Sequence, residues 1–189
     1  MENKKLNITL SAIKVFQEKG VEHATVSDIV KGAGIAQGTF YLYFPSKLAV
    51  MPSIAEVMVE EILEKFNSNV DLTKDFHKQL HQFIEMIFDL TEEYRDIFAL
   101  IYAGMASSDY LDSWEEIYEN YYIAVAKLLK NAQDNQVIRQ SIDPKQYAVL
   151  LIGLIESAAD QSYLYDKQNN LAIEAKKKDV FDFALAALR

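Results

Sequence analysis

The fold is decided between residues 25 and 47, which read TVSDIVKGAGIAQGTFYLYFPSK. Thr25 and Asp28 have the spacing of a capping box, in which a hydroxyl and a carboxylate three residues apart each accept from the other's backbone N–H. This spacing predicts a helix that begins after Thr25 and ends at Gly34, since glycine readily forms a left-handed C-cap. A second short helix is predicted over residues 37–44, closed by Pro45.

A longer amphipathic helix precedes this pair. Ile8, Ala12 and Phe16 recur at intervals of four, so they fall on one face together with Val15. Lys19-Gly20 marks the end of this helix, with a cation in the last turn and a glycine after it. Two short helices joined through a glycine turn, with a first helix to pack on, are typical of a helix-turn-helix.

The helix over 37–44 has two chemically different faces. Phe40 and Phe44 are four residues apart and can enter a three-helix core. Gly38 permits close backbone approach to a duplex, and Lys47 adds a charge for phosphate. Side chains that can donate to phosphate oxygens and base edges remain for the outside: Gln37, Thr39, Tyr41 and Tyr43. The alternative is that the tyrosines are half-buried surface aromatics and Gln37 is only solvated.

The whole module carries one continuous pattern: Ile8-x3-Ala12-x3-Phe16-x3-Gly20, then Thr25-Val-x-x-Ile29-x3-Ala33-Gly34-Ile35-x-x-Gly38-Thr-Phe-Tyr41-x-Tyr43-Phe44-x-x-Lys47. This pattern resembles the DNA-binding region of the TetR/AcrR family of transcriptional regulators, without a gap over residues 8–50. The later helices resemble that family only in number, length and character.

The resemblance implies specific roles in binding double-stranded DNA. Gln37 would face bases in the major groove. Thr25 and Ser27 would touch the DNA backbone or a neighbouring base, and the phosphates would be anchored by Thr39, Tyr41, Tyr43 and Lys47. Ala36 departs from the family pattern, which often has a capping serine there, and a lost cap typically costs about 1 kcal/mol.

The rest of the chain has apolar residues at spacings of three and four, and no stretch alternates long enough to predict a sheet. The expected fold is therefore all-α. Together with the resemblance, this predicts about nine helices in two parts: a three-helix helix-turn-helix domain over 1–47 and a helical ligand-binding and dimerisation domain over 48–189.

The connecting helix is expected to begin at Ser46 and to continue to about Phe66. Pro52 would then lie inside it, remove the hydrogen bond to Leu48 and kink the helix. In the family this helix carries movement from the effector pocket to the DNA-binding domain. Pro52 is therefore predicted to act as a joint between them.

Composition limits the function classes. The formal charge of −9 argues at first sight against nucleic acid, but residues 1–50 hold six lysines against four acids, a net +2, and the remainder is −11. The absence of cysteine excludes disulfides, Cys-based zinc sites and thiol catalysis. The N-terminus does not resemble a secretion signal and no apolar run is long enough for a bilayer, so no membrane partner and a cytoplasmic location are expected.

Many aromatic side chains follow the N-terminal module. They could line a cavity for a hydrophobic or amphipathic small-molecule effector; packed core is an equal alternative from the residues alone, and the resemblance favours the cavity. The predicted lining residues are Phe83, Ile87, Phe98, Tyr102, Met105, Trp114, Tyr118, Tyr121 and Tyr122. Polar candidates within it are Glu85, Glu156 and Asp160, with exposure at the surface as the alternative for each.

Residues 147–160 are apolar almost all round, so this helix must be covered on several sides. The resemblance implies a homodimer in which the last two helices of each subunit form a four-helix interface, and two modules on a twofold axis would read a palindrome. The predicted interface residues are Tyr147, Leu151, Leu154, Ile155, Ala158, Phe181 and Leu185. A wholly intramolecular core is the alternative.

His77 and His81 are four residues apart on a helix, a spacing that can present two imidazoles to one metal. No third ligand is identifiable by spacing, so no metal and no cofactor are predicted, and polar or solvated histidines are the alternative.

The leading hypothesis is a ligand-responsive DNA-binding regulator, specifically a repressor, and not an enzyme. A helical enzyme that uses the aromatic cavity is the second, opposed by the absence of Cys, GxSxG, HExxH and a phosphate-binding glycine loop. A helical adaptor whose module no longer binds DNA is the third.

Overall fold

The computed structural model describes residues 4–105, 114–165 and 169–189, with the side chains of 103–105 and 114 left out. Nine α-helices lie within these ranges, which contain no strand, so the all-α prediction is confirmed. Their bounds are α1 Lys4–His23, α2 Val26–Ala33, α3 Gln37–Tyr41, α4 Met51–Asn69, α5 Phe76–Glu93, α6 Arg95–Met105, α7 Trp114–Asp134, α8 Pro144–Asp160 and α9 Asn170–Leu188.

The chain divides into two compact units. The first comprises Met1–Met58 and Asp96–Ile117, and the second Val59–Arg95 and Tyr118–Arg189. Residues 4–47 of the first unit are called the three-helix module below. The domain boundary predicted after Lys47 stays a prediction.

The three-helix module is built on a tight crossing of α1 and α2. Ile8, Phe16 and Ile29 are buried in its core. Ser11 Oγ donates to the Ile29 carbonyl at 2.7 Å, and a Cβ at Gly32 would collide with that same hydroxyl. Glycine is therefore required at position 32 for the two helices to pack this closely.

The segment around Pro52 differs from the prediction of a kinked helix that begins at Ser46. Residues Leu48–Val50 form a 3₁₀ helix, and α4 begins at Met51, so Pro52 lies in its first turn rather than in its interior. Pro52 has no N–H for the Leu48 carbonyl, and the Met51 N–H takes that carbonyl instead. The missing donor thus produces a boundary between 3₁₀ and α geometry, because a proline in the first turn breaks no α-helical bond.

In the second unit, α5 packs against both α8 and α9. Leu80, Phe83 and Phe88 of α5 and Ile155 of α8 are fully buried. The start of α8 follows its predicted cap: the Asp143 carboxylate accepts from the Lys145 N–H at 3.0 Å, and Pro144 occupies the first helical position. Within the ranges given above, no helix is long and apolar enough to cross a membrane.

Candidate nucleic-acid interface

The capping box at the start of α2 is confirmed. Thr25 Oγ1 accepts from the Asp28 N–H at 3.2 Å, and the Asp28 carboxylate accepts from the Thr25 N–H at 3.1 Å. Lys19 Nζ also donates to Asp28 at 2.6 Å. The hydrogen bond from Lys19, followed by those from Thr25, lowers the pKa of Asp28 from its ordinary 3.8 to about 2. The entry to α2 is thereby fixed, and Thr25 and Ser27 lie exposed beside it.

The turn between α2 and α3 also follows the prediction. Gly34 has a φ of 65°, and the Ile35 N–H reaches back to the Val30 carbonyl at 3.1 Å. Ala36 precedes α3 and makes no side-chain capping hydrogen bond, as expected for an alanine where the family often has a capping serine. The predicted length of this helix is wrong: α3 spans Gln37–Tyr41 and is followed by a turn, because the Tyr43 and Phe44 N–H groups both converge on the Phe40 carbonyl.

The two faces of α3 are divided as predicted. Phe40 and Phe44 are buried, with their ring centroids 5.7 Å apart. Gln37, Gly38, Tyr41 and Tyr43 are exposed, and Thr39 is half-buried. The short helix α3 and the turn that follows it thus present an amide, a hydroxyl and two phenols, which can donate to phosphates and base edges.

Leu42, directly after α3, is a surface residue that the sequence prediction missed. Its side chain is 82% exposed, the most of any large apolar residue in the three-helix module. The helical repeat contains the signal, because Leu42 follows Gly38 by one turn and lies about 160° around the axis from Phe40.

Lys47 is turned toward the module rather than outward. Its Nζ donates to the carbonyls of Val21 at 2.6 Å, Ala24 at 2.8 Å and Glu22 at 3.4 Å. An ammonium has three donors, and all three are used here. A phosphate would have to compete with these carbonyls, so the phosphate contact predicted for Lys47 stays a prediction.

Four of the predicted effector residues lie together in the second unit. Phe83 of α5 contacts Tyr121 of α7 with ring centroids 6.2 Å apart, and Tyr118 contacts Tyr121 and Tyr122 at 5.9 and 5.7 Å. Phe83, Tyr118 and Tyr121 are buried, whereas Tyr122 is half-buried. Ile87 is buried on α5, one turn after Phe83.

Of the other predicted effector residues, two lie on a different helix and two have side chains outside the described residues. Phe98 and Tyr102 lie on α6, in the first unit. The side chains of Met105 and Trp114 lie outside the described residues. The assignment of all nine residues to one pocket stays a prediction.

The three acidic candidates are in different environments. Glu85 accepts from Lys177 Nζ at 2.6 Å, which joins α5 to α9. Glu156 and Asp160 lie one turn apart on α8, and Asp160 is buried. Desolvation, with the charge of Asp160 as a second cause, raises the pKa of Glu156 from 4.5 to about 8. The raised pKa favours the protonated carboxyl of Glu156, which can donate a hydrogen bond.

Three of the seven predicted dimer residues are buried within their own subunit. Leu151, Ile155 and Ala158 are buried there, and the others are half-buried: Tyr147, Leu154, Phe181 and Leu185. The exposed apolar side chains of α8 and α9 are different residues, among them Leu150 at 64% and Phe183 at 65%. Gly153 is exposed between them in sequence, with open space where a Cβ would stand.

The two histidines have separate polar contacts. His77 Nε2 lies 2.7 Å from an Arg189 guanidinium nitrogen, and His81 Nε2 lies 3.9 Å from Glu85. Both rings stand against Phe181. Among the described residues, no group of three or more His, Cys, Asp or Glu side chains could hold a metal ion.

Comparison with known proteins places this architecture in a family. Residues 8–54 match the family model described as bacterial regulatory proteins, tetR family, and residues 80–188 match a tetracyclin repressor-like C-terminal domain. The chain is 38% identical over 182 residues to the uncharacterized HTH-type transcriptional regulator YvdT of Bacillus subtilis (strain 168), which covers 96% of this chain and 93% of that protein. The chain belongs to the TetR family.

Solved structures show the same fold. FadR from Bacillus subtilis in complex with stearoyl-CoA has a TM-score of 0.74 at 21% identity, covering 97% of this chain and 99% of that one. The TetR-family transcriptional repressor FadR of Thermus thermophilus, in complex with lauroyl-CoA, has a TM-score of 0.75 at 19% identity, covering 96% and 93%. This protein is therefore a helix-turn-helix transcriptional regulator of that family.

Proposed function

We propose that this regulator is a repressor that holds a palindromic operator as a homodimer and is released by a hydrophobic or amphipathic small molecule. The observation that carries the proposal is the exposed face of α3, which stands opposite two buried phenylalanines in a module with a complete capping box and C-cap. A short helix fixed in this way can hold its side chains in register with a major groove.

In this proposal the exposed polar groups divide the work of binding. Gln37 reads base edges, since an amide can donate and accept at once. Thr39, Tyr41 and Tyr43 donate to phosphates, and Gly38 lets the backbone approach the duplex. Thr25 and Ser27 add contacts at the start of α2, where the helix dipole also favours phosphate.

The proposed dimer uses the outer faces of α8 and α9. Leu150 and Phe183 expose apolar area that a partner subunit would cover, and Gly153 permits close approach of a partner helix. Because α8 is apolar almost all round, its inner residues pack within the subunit while its outer residues remain for the partner. In a symmetric dimer the two α3 helices are related by a twofold axis, which matches the symmetry of a palindromic operator.

Long-chain acyl-CoA is the first effector class to test. The FadR structures from Bacillus subtilis and Thermus thermophilus described above each contain an acyl-CoA. The aromatic cluster of Phe83, Tyr118, Tyr121 and Tyr122 supplies apolar surface in the second unit. An effector releases DNA only by its differential affinity for the conformation that cannot dock both modules.

The test is binding of the purified full-length protein to DNA from upstream of its own coding sequence, followed by fluorescence anisotropy at several salt concentrations. We expect a specific complex that weakens with salt. Lauroyl-CoA or stearoyl-CoA should dissociate it, whereas coenzyme A without an acyl chain should not. A protein that binds no upstream sequence more tightly than random DNA would contradict the proposal and favour an adaptor or an enzyme.

The dimer surface has a matched control in Leu72, which is 56% exposed outside α8 and α9. Leu150→Glu should convert the dimer to a monomer in light scattering and lower operator affinity. Leu72→Glu should leave both unchanged. Equal behaviour of the two variants would place the interface elsewhere.

A further inference from the structure

Leu42, the residue that caps the C-terminus of α3, has a well-defined backbone although its side chain is 82% exposed. Its own N–H donates to the Thr39 carbonyl at 3.3 Å, and the next two N–H groups donate to Phe40 at 2.9 and 3.0 Å. Its φ of −73° and ψ of −23° continue the right-handed turn. The exposure of Leu42 therefore belongs to an ordered backbone.

Because Leu42 continues the right-handed turn after Tyr41, Gly38 of α3 and Leu42 form the outermost line of this segment. Leu42 follows Gly38 by one turn, and both lie on the side of the helix axis away from the buried Phe40. A Cβ at Gly38 would meet nothing within 4 Å. Along this line, Gly38 leaves the backbone uncovered and Leu42 presents one isobutyl group. Tyr41 and Tyr43 are exposed on either side of it.

The isobutyl group of Leu42 has little to stabilise within the module, because most of its surface remains in water. Its apolar area becomes useful only against an apolar group of a partner. The floor of the major groove displays donors and acceptors at each base pair, and its apolar group is the C5-methyl of thymine.

We propose that Leu42 is a specificity-determining residue that reads a thymine in each operator half-site through contact with the thymine C5-methyl. The inference rests on the proposed function, since it requires α3 to enter the major groove. It adds an apolar base contact to the polar contact of Gln37. The predicted operator therefore has a position where thymine is preferred for its methyl group and not for its hydrogen bonds.

The test is a double-mutant cycle between the Leu42 side chain and the C5-methyl group of one thymine. Each thymine of the footprinted operator is replaced in turn, in both half-sites, by deoxyuridine, which lacks only that methyl. For wild-type protein, one such pair of replacements should weaken binding about fifteenfold, or about fourfold per half-site, as expected for burial of one methyl group. Leu42→Ala should weaken binding to the thymine operator to a similar extent and lose no further affinity on the deoxyuridine operator.

Leu72→Ala is the control, because Leu72 is also an exposed leucine but lies outside the module. It should retain the full deoxyuridine effect. Leu42→Ala should also keep the thermal midpoint of the wild type, since the side chain contributes little to the core. Equal deoxyuridine losses for wild type and Leu42→Ala at every position would overturn the inference while the proposed function stands. Absence of any specific complex with wild-type protein would overturn both.

Discussion

The Lys47 ammonium donates to the Ala24 carbonyl at 2.8 Å, 23 residues back in the chain, and holds the segment between α1 and α2. The same nitrogen donates to the Val21 carbonyl at 2.6 Å. Val21 lies in the last turn of α1, after Gly20, where carbonyls have no acceptor role within the helix. Lys47 immediately precedes the 3₁₀ helix that leads into α4. It therefore links the start of the connecting segment to the turn that orients α2.

Replacement of Lys47 separates this internal role from a phosphate contact. Lys47→Met keeps most of the side-chain stem and removes the three hydrogen bonds, so we expect a loss of about 2 kcal/mol in the free energy of unfolding. Operator affinity should fall with it. The slope of log affinity against log salt should not change, because no phosphate contact is lost; a fall of about 0.9 per subunit would instead identify Lys47 as a phosphate ligand.

From the lowered pKa of Asp28 we expect the three-helix module to lose stability in acid. Its pKa of about 2 lies below the ordinary 3.8, so its ion pair and capping contacts stabilise the fold above about pH 4 and are lost as pH falls toward 2. Asp28→Asn should destabilise the protein at pH 7 and reduce the loss between pH 4 and 2. Thermal unfolding at each pH measures this, with Glu22→Gln, an exposed residue just before α2, as the control.

Glu156 predicts the opposite pH dependence in the second unit. Its folded pKa of about 8 lies above the ordinary 4.5, so the folded state holds a proton that the unfolded state has lost. The free energy of unfolding should therefore decline from this group as pH rises from about 4.5 to 8. Glu156→Gln should remove that decline and raise the thermal midpoint at pH 8, whereas Glu60→Gln, on the exposed side of α4, should not. An identical pH profile for wild type and Glu156→Gln would contradict this account.

Pro52→Ala tests whether the boundary between 3₁₀ and α geometry matters for release. The new N–H can take the Leu48 carbonyl from Met51 and extend α4 toward Lys47. We expect the concentration of effector needed to release DNA to change, with only a small change in thermal stability. Unchanged operator affinity together with unchanged release would show that Pro52 is not a joint.

Local spacing was sufficient to predict the parts of the module that depend on neighbours in sequence. The Thr25–Asp28 box, the Gly34 cap and the division between Phe40 and the exposed tyrosines all depend on contacts within one or two turns. The 3₁₀ helix before Pro52 was missed because the missing N–H could have been accommodated by either a kink or a helix boundary.

Contacts that depend on tertiary packing were not predictable in the same way. The sequence shows Lys47 as a free charge, and only the folded chain brings the Val21 and Ala24 carbonyls to it. The orientation of α8 was also ambiguous, because a helix that is apolar almost all round does not reveal which side faces its own subunit. The structure puts Leu151 and Ile155 inside and Leu150 outside.

The most direct test of whether α3 reads DNA is the affinity of Gln37→Ala for a panel of operators with single base-pair changes. If α3 reads DNA, the variant should lose about 1–3 kcal/mol of discrimination at one position per half-site and keep its preferences elsewhere. A uniform loss of affinity on every sequence, with no change in discrimination at any position, would contradict the assignment of Gln37 and α3 as the reading surface.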